Sequence, residues 1–255
     1  MIEIIPAIMP RNLEDLADKV SSVKGFAKWV QVDVMDGVFV ASRDWPYVGD
    51  GELEFERLAS EAEELPYWKE VNYEADLMIE NPERTLSSWI QAGFQRIIVH
   101  AESVNDISEV LRICDHLPAD VLRQVGAAQA DGDKSPKGNM FSHSIELGVA
   151  INIETSIEAL EDWVSHVDFV QCMGIARIGY QGEPFDSRVL ERISFLKEAY
   201  PDIIITVDGG VSFENASQLT KAGASRLVAG SAILGADSPK EAYQEFITIV
   251  NSHAP

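Results

Sequence analysis

The chain has 255 residues, 46% of them hydrophobic and 24% charged, an ordinary globular composition that excludes a disordered or collagen-like polymer. Lys and Arg number 20 against 42 Asp and Glu, for a formal net charge of −22. That balance excludes a basic nucleic-acid footprint, disfavours an anionic membrane surface, and opposes long-range steering of a phosphorylated ligand, so any phosphate site must be local.

No run of 18 apolar residues exists to span a membrane. The opening Met1-Ile2-Glu3-Ile4-Ile5-Pro6 lacks the basic and long apolar regions of a secretion signal. Cys114 and Cys172 are far apart and form no CxxC pair, which suits small buried residues in a reducing compartment. The expectation is a soluble, cytoplasmic protein with residues 1–255 in one domain.

Short apolar runs alternate with longer amphipathic stretches along the chain. Ile4–Ile8 precedes Asn12–Val23, Trp29–Val34 precedes Leu53–Glu64, and Tyr73–Met78 precedes Pro82–Ala92. Arg96–Val99 then leads to Ile107–His116, Leu147–Ile151 to Ser156–Val164, and Phe169–Met173 to Ser187–Ala199. Ile203–Val207 with Glu214–Ala222 and Arg226–Ala229 with Pro239–Asn251 complete the series. Near-continuous apolar runs of five or six residues suit parallel strands buried on both faces. Eight strand–helix units predict an α/β fold, a single (β/α)8 TIM barrel, a fold that takes ~250 residues; an open doubly wound sheet is the alternative. One polar, turn-rich segment, 120–143, interrupts the rhythm between a helix and the next strand. It reads as a surface excursion or subunit contact on the face away from chemistry.

Barrel chemistry gathers at the C-terminal ends of the strands, and those positions are polar here. Asp33 lies one residue inside the end of the second run, before Met35-Asp36-Gly37. The third run holds Asp76, the fourth ends at His100 and the fifth at Asn152. The seventh ends in Asp208-Gly209-Gly210 and the eighth in Gly230-Ser231. Gly209, Gly210, Gly230 and Ser231 fall where barrels often bind phosphate, because glycine lets backbone N–H groups approach an anion; tight turns alone would also account for them. Asp33 and Asp208, read as facing each other across the ring, could take a proton from one face of a ligand and return it to the other. The competing reading is a helix cap or an ion pair.

Several segments together resemble one family. Trp29-Val-Gln-Val-Asp33-Val-Met-Asp36-Gly37, Asp76-Leu-Met-Ile-Glu-Asn-Pro-Glu83, Val99-His100-Ala-Glu102, Gly148-Val-Ala-Ile-Asn152, Val207-Asp208-Gly209-Gly210-Val211 and Leu227-Val-Ala-Gly230-Ser231 are similar to ribulose-phosphate 3-epimerase. The matches keep their order from Pro6 to Leu234. The resemblance implies a ribulose-phosphate-binding barrel that interconverts ribulose 5-phosphate and xylulose 5-phosphate, with Asp33 and Asp208 as the acid/base pair. It also implies a metal, held in that family by two histidines and the two aspartates, that acts on the enediolate oxygens.

This chain departs from the pattern at both histidines, which are Gln31 and Asp76, and at a substrate-contacting serine, which is Ala7. The family's lid loop aligns with Ala176–Glu183, a fourth departure. Metal ligands would then be Gln31, Asp33, Asp76 and Asp208, an all-oxygen set that favours Mg or Mn over Zn. Without a metal, three clustered aspartates cannot all stay ionised, and a protonated one could donate a hydrogen bond to the enediolate. Substrate contacts are expected from Gly179, Tyr180 and Gly182 of the loop and from Met35 and Met78, with Arg177 either facing the phosphate or facing solvent. His100 could orient a ligand, although a structural role is its default. The expected partner is a phosphorylated sugar, with no nucleic acid and no membrane, in a chain that can form a homo-oligomer. The alternative function is a sugar-phosphate-binding paralogue without turnover. An aldol cleavage ranks last, since no lysine stands at a strand end.

Overall fold

The computed structural model describes residues 2–115 and 145–252. The polar segment 120–143 lies outside them. Eight parallel strands close on themselves in sequence order: β1 Glu3–Ile8, β2 Trp29–Met35, β3 Asn72–Met78, β4 Arg96–His100, β5 Glu146–Ile151, β6 Phe169–Met173, β7 Ile204–Asp208 and β8 Arg226–Ala229. The ring shuts where Glu3 pairs with Arg226. The expected α/β barrel is therefore the observed one, and every strand lies within a residue or so of its predicted bounds.

Alternation along each strand explains why the runs look continuously apolar. One face, with Ile4, Ile8, Val30, Val32, Leu77 and Val99, joins the large core under the helices. The other faces inward, where Ile5, Ala7, Trp29 and Val228 pack together and Ile98, Ala150, Phe169 and Met173 form a second group. Gly148 is part of that fit: a Cβ there would stand 2.3 Å from Phe169 Cζ, so the ring fills space that any larger residue would need.

The helices are α1 Leu13–Val23, α2 Gly51–Ala59, α3 Leu86–Gln91, α4 Ile107–Asp115, α5 Arg188–Ala199, α6 Ala216–Ala222, α7 Ser231–Leu234 and α8 Pro239–Asn251. Three of the expected stretches differ, and the four-residue α7 was not among those expected. The stretch Ser156–Val164 forms a 3-10 turn at Ile157–Leu160 rather than an α-helix. Leu160 is the buried residue of that turn, and Trp163, also buried, lies in the chain just after it. The second helix starts at Gly51 and stops at Ala59, short of Glu64. Glu61, Glu63 and Glu64 oppose the negative end of a helix dipole, and Glu61 turns the backbone to φ 60. A 3-10 turn at Pro82–Arg84 precedes α3, so the single helix expected over Pro82–Ala92 is divided.

At the N-terminal end of the barrel the inward residues are ionic. Arg96 lies 2.9 Å from Glu3, 3.2 Å from Glu74 and 2.9 Å from Glu146, and Arg226 bridges Glu146 at 2.8 Å and Glu3 at 3.3 Å. The Arg96 guanidinium also lies 3.6 Å from the centre of the Trp29 ring. Glu74 is fully buried, and burial pushes its carboxyl up to about 7 against the pull of Arg96 and Arg226. Removing one partner of such a buried pair strands the other. Arg96→Met is expected to lose ~3–5 kcal/mol of stability in urea denaturation; a loss below ~1 kcal/mol would show that Arg226 alone compensates Glu74.

Candidate active site

The opposite end of the barrel interior holds carboxylates instead. Asp33 on β2 and Asp76 on β3 are direct partners in the strand ladder, and Asp208 closes β7. Their oxygens lie within 4.8 Å of one another, a cluster that could hold a metal ion. Asp33 and Asp208 stand three strand steps apart round the ring, one short of directly opposite. Only β1 and β8 separate their strands, and one amide nitrogen reaches both: Gln31 Nε2 donates to Asp33 Oδ1 at 2.8 Å and to Asp208 Oδ2 at 2.8 Å.

Two further side chains hold Asp76. Gln171 on β6 donates Nε2 to Asp76 Oδ2 at 3.1 Å, with Asp208 Oδ2 at 3.5 Å. His100 Nε2 lies 3.1 Å from Asp76 Oδ1. His100 is completely buried, with the Phe39 ring 5.3 Å away, so it orients Asp76 from behind. Sequence reasoning missed Gln171 altogether. Its signal was an amide in the middle of a buried strand, two residues before Met173 on the same face.

Electrostatics separates the carboxyls from ordinary ones. Burial, then the charges of Asp208 and Asp76, holds Asp33 well above the usual carboxylate range, with the Gln31 amide opposing. Burial and the Asp76 charge push Asp208 up to about 7, against donation from Gln31 and the Gly209 N–H. His100 is pulled down by burial but more strongly up by Asp76 and Glu102, for a net rise. The expectation that three clustered aspartates cannot all remain charged follows from this geometry.

A cavity of about 320 Å³ opens over Asp33 and Asp208. Met78, Gly179, Tyr180, Gly182, Gly209, Gly210, Gly230 and Ser231 all line it, together with Ala7, Met173, Gln181 and Ser212. Among the described residues its charged lining is acidic: Asp33, Asp208 and Glu183. Met35 is buried beside the loop rather than in the lining, where a Cβ on Gly179 would lie 3.2 Å from its sulfur. Arg177 does not face the cavity. It lies exposed at the rim, 2.5 Å from Glu183, the solvent-facing of the two placements that the sequence left open. Gly209 and Gly210 have φ of 94° and 67°, and a Cβ on Gly210 would meet the Phe185 backbone at 2.8 Å. These two must be glycine for backbone reasons, whatever else their N–H groups do.

Loops around the mouth are tied by two carboxylates. Asp36 accepts from the Val38 and Phe39 N–H groups through one oxygen and from the Glu80 N–H through the other, joining the loops after β2 and β3. Asp44 accepts from the Met35 N–H at 2.7 Å, and burial raises its carboxyl to about 8.

The profile of the ribulose-phosphate 3 epimerase family matches residues 3–121 and 139–234. The chain belongs to that family. It is 31% identical to the ribulose-phosphate 3-epimerase of Bacillus subtilis over 96% of this chain and 98% of that one. Identity to the enzyme of that name from Aquifex aeolicus is 28%, over 91% and 90% of the two chains. Among solved structures, the 3-keto-L-gulonate-6-phosphate decarboxylase of Vibrio cholerae superposes with a TM-score of 0.60 at 14% identity, covering 100% of this chain and 99% of that one. The 3-hexulose-6-phosphate synthase of Salmonella typhimurium gives 0.58 at 14% identity, over 99% and 100%. These last two likenesses concern the fold. No helix among the described residues is long and apolar enough to cross a membrane.

A carboxyl raised in the folded state binds a proton there that the unfolded chain has released, so it stabilises the fold only while protonated. Asp208 moves from 3.8 to about 7, and the EDTA-treated protein should lose stability as pH rises from 3.8 through about 7. Asp208→Asn should flatten that slope without abolishing it, because Asp33, Asp44 and Glu74 contribute with the same sign. Urea midpoints measured across this range decide it, and an unchanged slope in the variant would contradict the assignment.

Proposed function

We propose that this protein epimerises a phosphorylated ketose at C3, interconverting ribulose 5-phosphate and xylulose 5-phosphate or a closely related pair. The observation that carries the reading is the placement of Asp33 and Asp208 at one cavity, both displaced upward in pKa and held by one shared amide. One carboxylate takes the C3 proton, and the bond electrons move toward the C2 carbonyl oxygen. The other, protonated, delivers a proton to the opposite face. Family membership and the named relatives support the same chemistry.

Phosphate would be taken by backbone N–H groups around Gly209, Gly210 and Gly230 and by the Ser231 hydroxyl. Among the described residues no cationic side chain lines the cavity, which agrees with a local site on an acidic protein. Tyr180, with Gly179 and Gly182, would cover the sugar, and Met78, backed by Met35, would pack against it.

The residues present fit a divalent cation of the oxygen-preferring kind. Asp33, Asp76 and Asp208 would hold it with Gln31, whose Oε1 is buried without a hydrogen-bond partner. Mg or Mn suits this set better than Zn. When bound, such an ion supplies positive charge to the oxygens of the enediolate.

Asp33→Asn and Asp208→Asn should each lower kcat for ribulose 5-phosphate by ~10²–10⁴ in a coupled steady-state assay, while inorganic phosphate still binds. Phosphate binding by the wild type without turnover would instead favour the non-catalytic sugar-phosphate-binding reading.

A further inference from the structure

Gln171 has no role in the reading above. It is wholly buried inside the barrel, and its amide nitrogen faces Asp76 and Asp208. Gln31 stands in the corresponding position between Asp33 and Asp208. Both amides therefore present N–H to two carboxylates, and Asp208 Oδ2 is common to both. Each also leaves its Oε1 buried with no hydrogen-bond partner. Buried carbonyl oxygens normally have a donor, and here two orphans flank one acidic cluster.

An amide is planar, with donor and acceptor ends that exchange places by half a turn about its last torsion, and that torsion is broad and roughly two-fold. Without a cation, N–H must face the carboxylates, because a carbonyl oxygen there would add to their repulsion. With a cation among them the preference reverses: its field repels N–H and attracts the carbonyl oxygen. A single event then offsets two of the three carboxylate charges and gives both orphaned oxygens a partner.

We propose that Gln31 and Gln171 are a reversible pair of amides, and that Gln171 completes a set of five oxygen-bearing side chains around a hard divalent cation. The inference rests on the metal reading above and adds Gln171 to it as a ligand. Hard cations take six or more oxygen donors, so a fifth side chain replaces one water. No thiolate joins the cluster, and the nearby imidazole of His100 is engaged with Asp76. Softer metals that prefer nitrogen and sulfur are therefore disfavoured. In the ion-free state the two amides hold apart carboxylates that would otherwise repel.

The test uses the full chain stripped with EDTA and titrated with Mn²⁺ alone, followed by calorimetry and by the paramagnetic resonance of free Mn²⁺. Wild type is expected to bind one ion. Gln171→Leu, with no oxygen donor, should bind about tenfold or more weakly, as loss of a metal site's supporting partner commonly does. Gln171→Glu keeps a donor of the same reach, so it should bind at least as tightly while its ion-free form melts at a lower temperature. Equal affinity in Gln171→Leu, or lost affinity in Gln171→Glu, overturns the assignment of Gln171. If Gln171→Leu fails to fold, the Gln171→Glu result decides. Wild-type protein that takes up no Mn²⁺ removes the metal reading and this inference together. It leaves the two-carboxylate proton transfer to be judged by turnover.

Discussion

Everything at the functional end of this barrel depends on confining three carboxylates within 4.8 Å inside a protein interior. Buried like charges at that range cannot all persist, so the structure must supply protons, hydrogen bonds or a cation. It supplies hydrogen bonds through Gln31, Gln171 and His100. The upward displacement of Asp33 and Asp208 provides the rest. The same confinement that opposes folding at high pH creates a pair able to hold one proton between two sites. Unlike protonation states in neighbouring carboxyls are what proton exchange at a carbon needs.

The two ends of the barrel solve the problem of buried charge differently. At the N-terminal end, Glu3, Glu74 and Glu146 are matched by Arg96 and Arg226. Among the described residues no arginine or lysine reaches the C-terminal cluster, and none lines the cavity above it. The first arrangement is closed and structural, whereas the second is left with uncompensated charge. That asymmetry supports reading the C-terminal end as the working one, and it agrees with where barrel enzymes place their chemistry.

Much of this was legible in the sequence, for physical reasons. Buried parallel strands must be apolar on both faces, so all eight stood out, and polar residues at their ends marked the site. Helices were harder. The stretch before Trp163 winds only into a 3-10 turn, and the acidic stretch after Ala59 ends α2 early, yet amphipathic spacing alone favours longer helices in both places. Gln171 escaped notice because one amide in an apolar strand has no motif, and its meaning depends on Asp76 and Asp208 arriving from β3 and β7. Arg177 stayed open between two placements for the opposite reason. A cation beside a glycine-rich loop suggests a phosphate partner, but Glu183, six residues on, satisfies it at the rim. Closeness of Asp33 and Asp208 was likewise underestimated, because strand number conveys separation round the ring and not the reach of Gln31 between them.

The central claim is that two different carboxylates serve the two faces of C3. A carboxylate that removes a proton carries only that one, so it returns the same proton to the substrate, while the opposing acid carries one from solvent. Early turnover of ribulose 5-phosphate in D₂O, followed by proton NMR, distinguishes the cases directly. The account predicts deuterium at C3 of the newly formed xylulose 5-phosphate while the remaining substrate keeps its hydrogen. Product that retains the original hydrogen at C3 would mean one group serves both faces, and would contradict it.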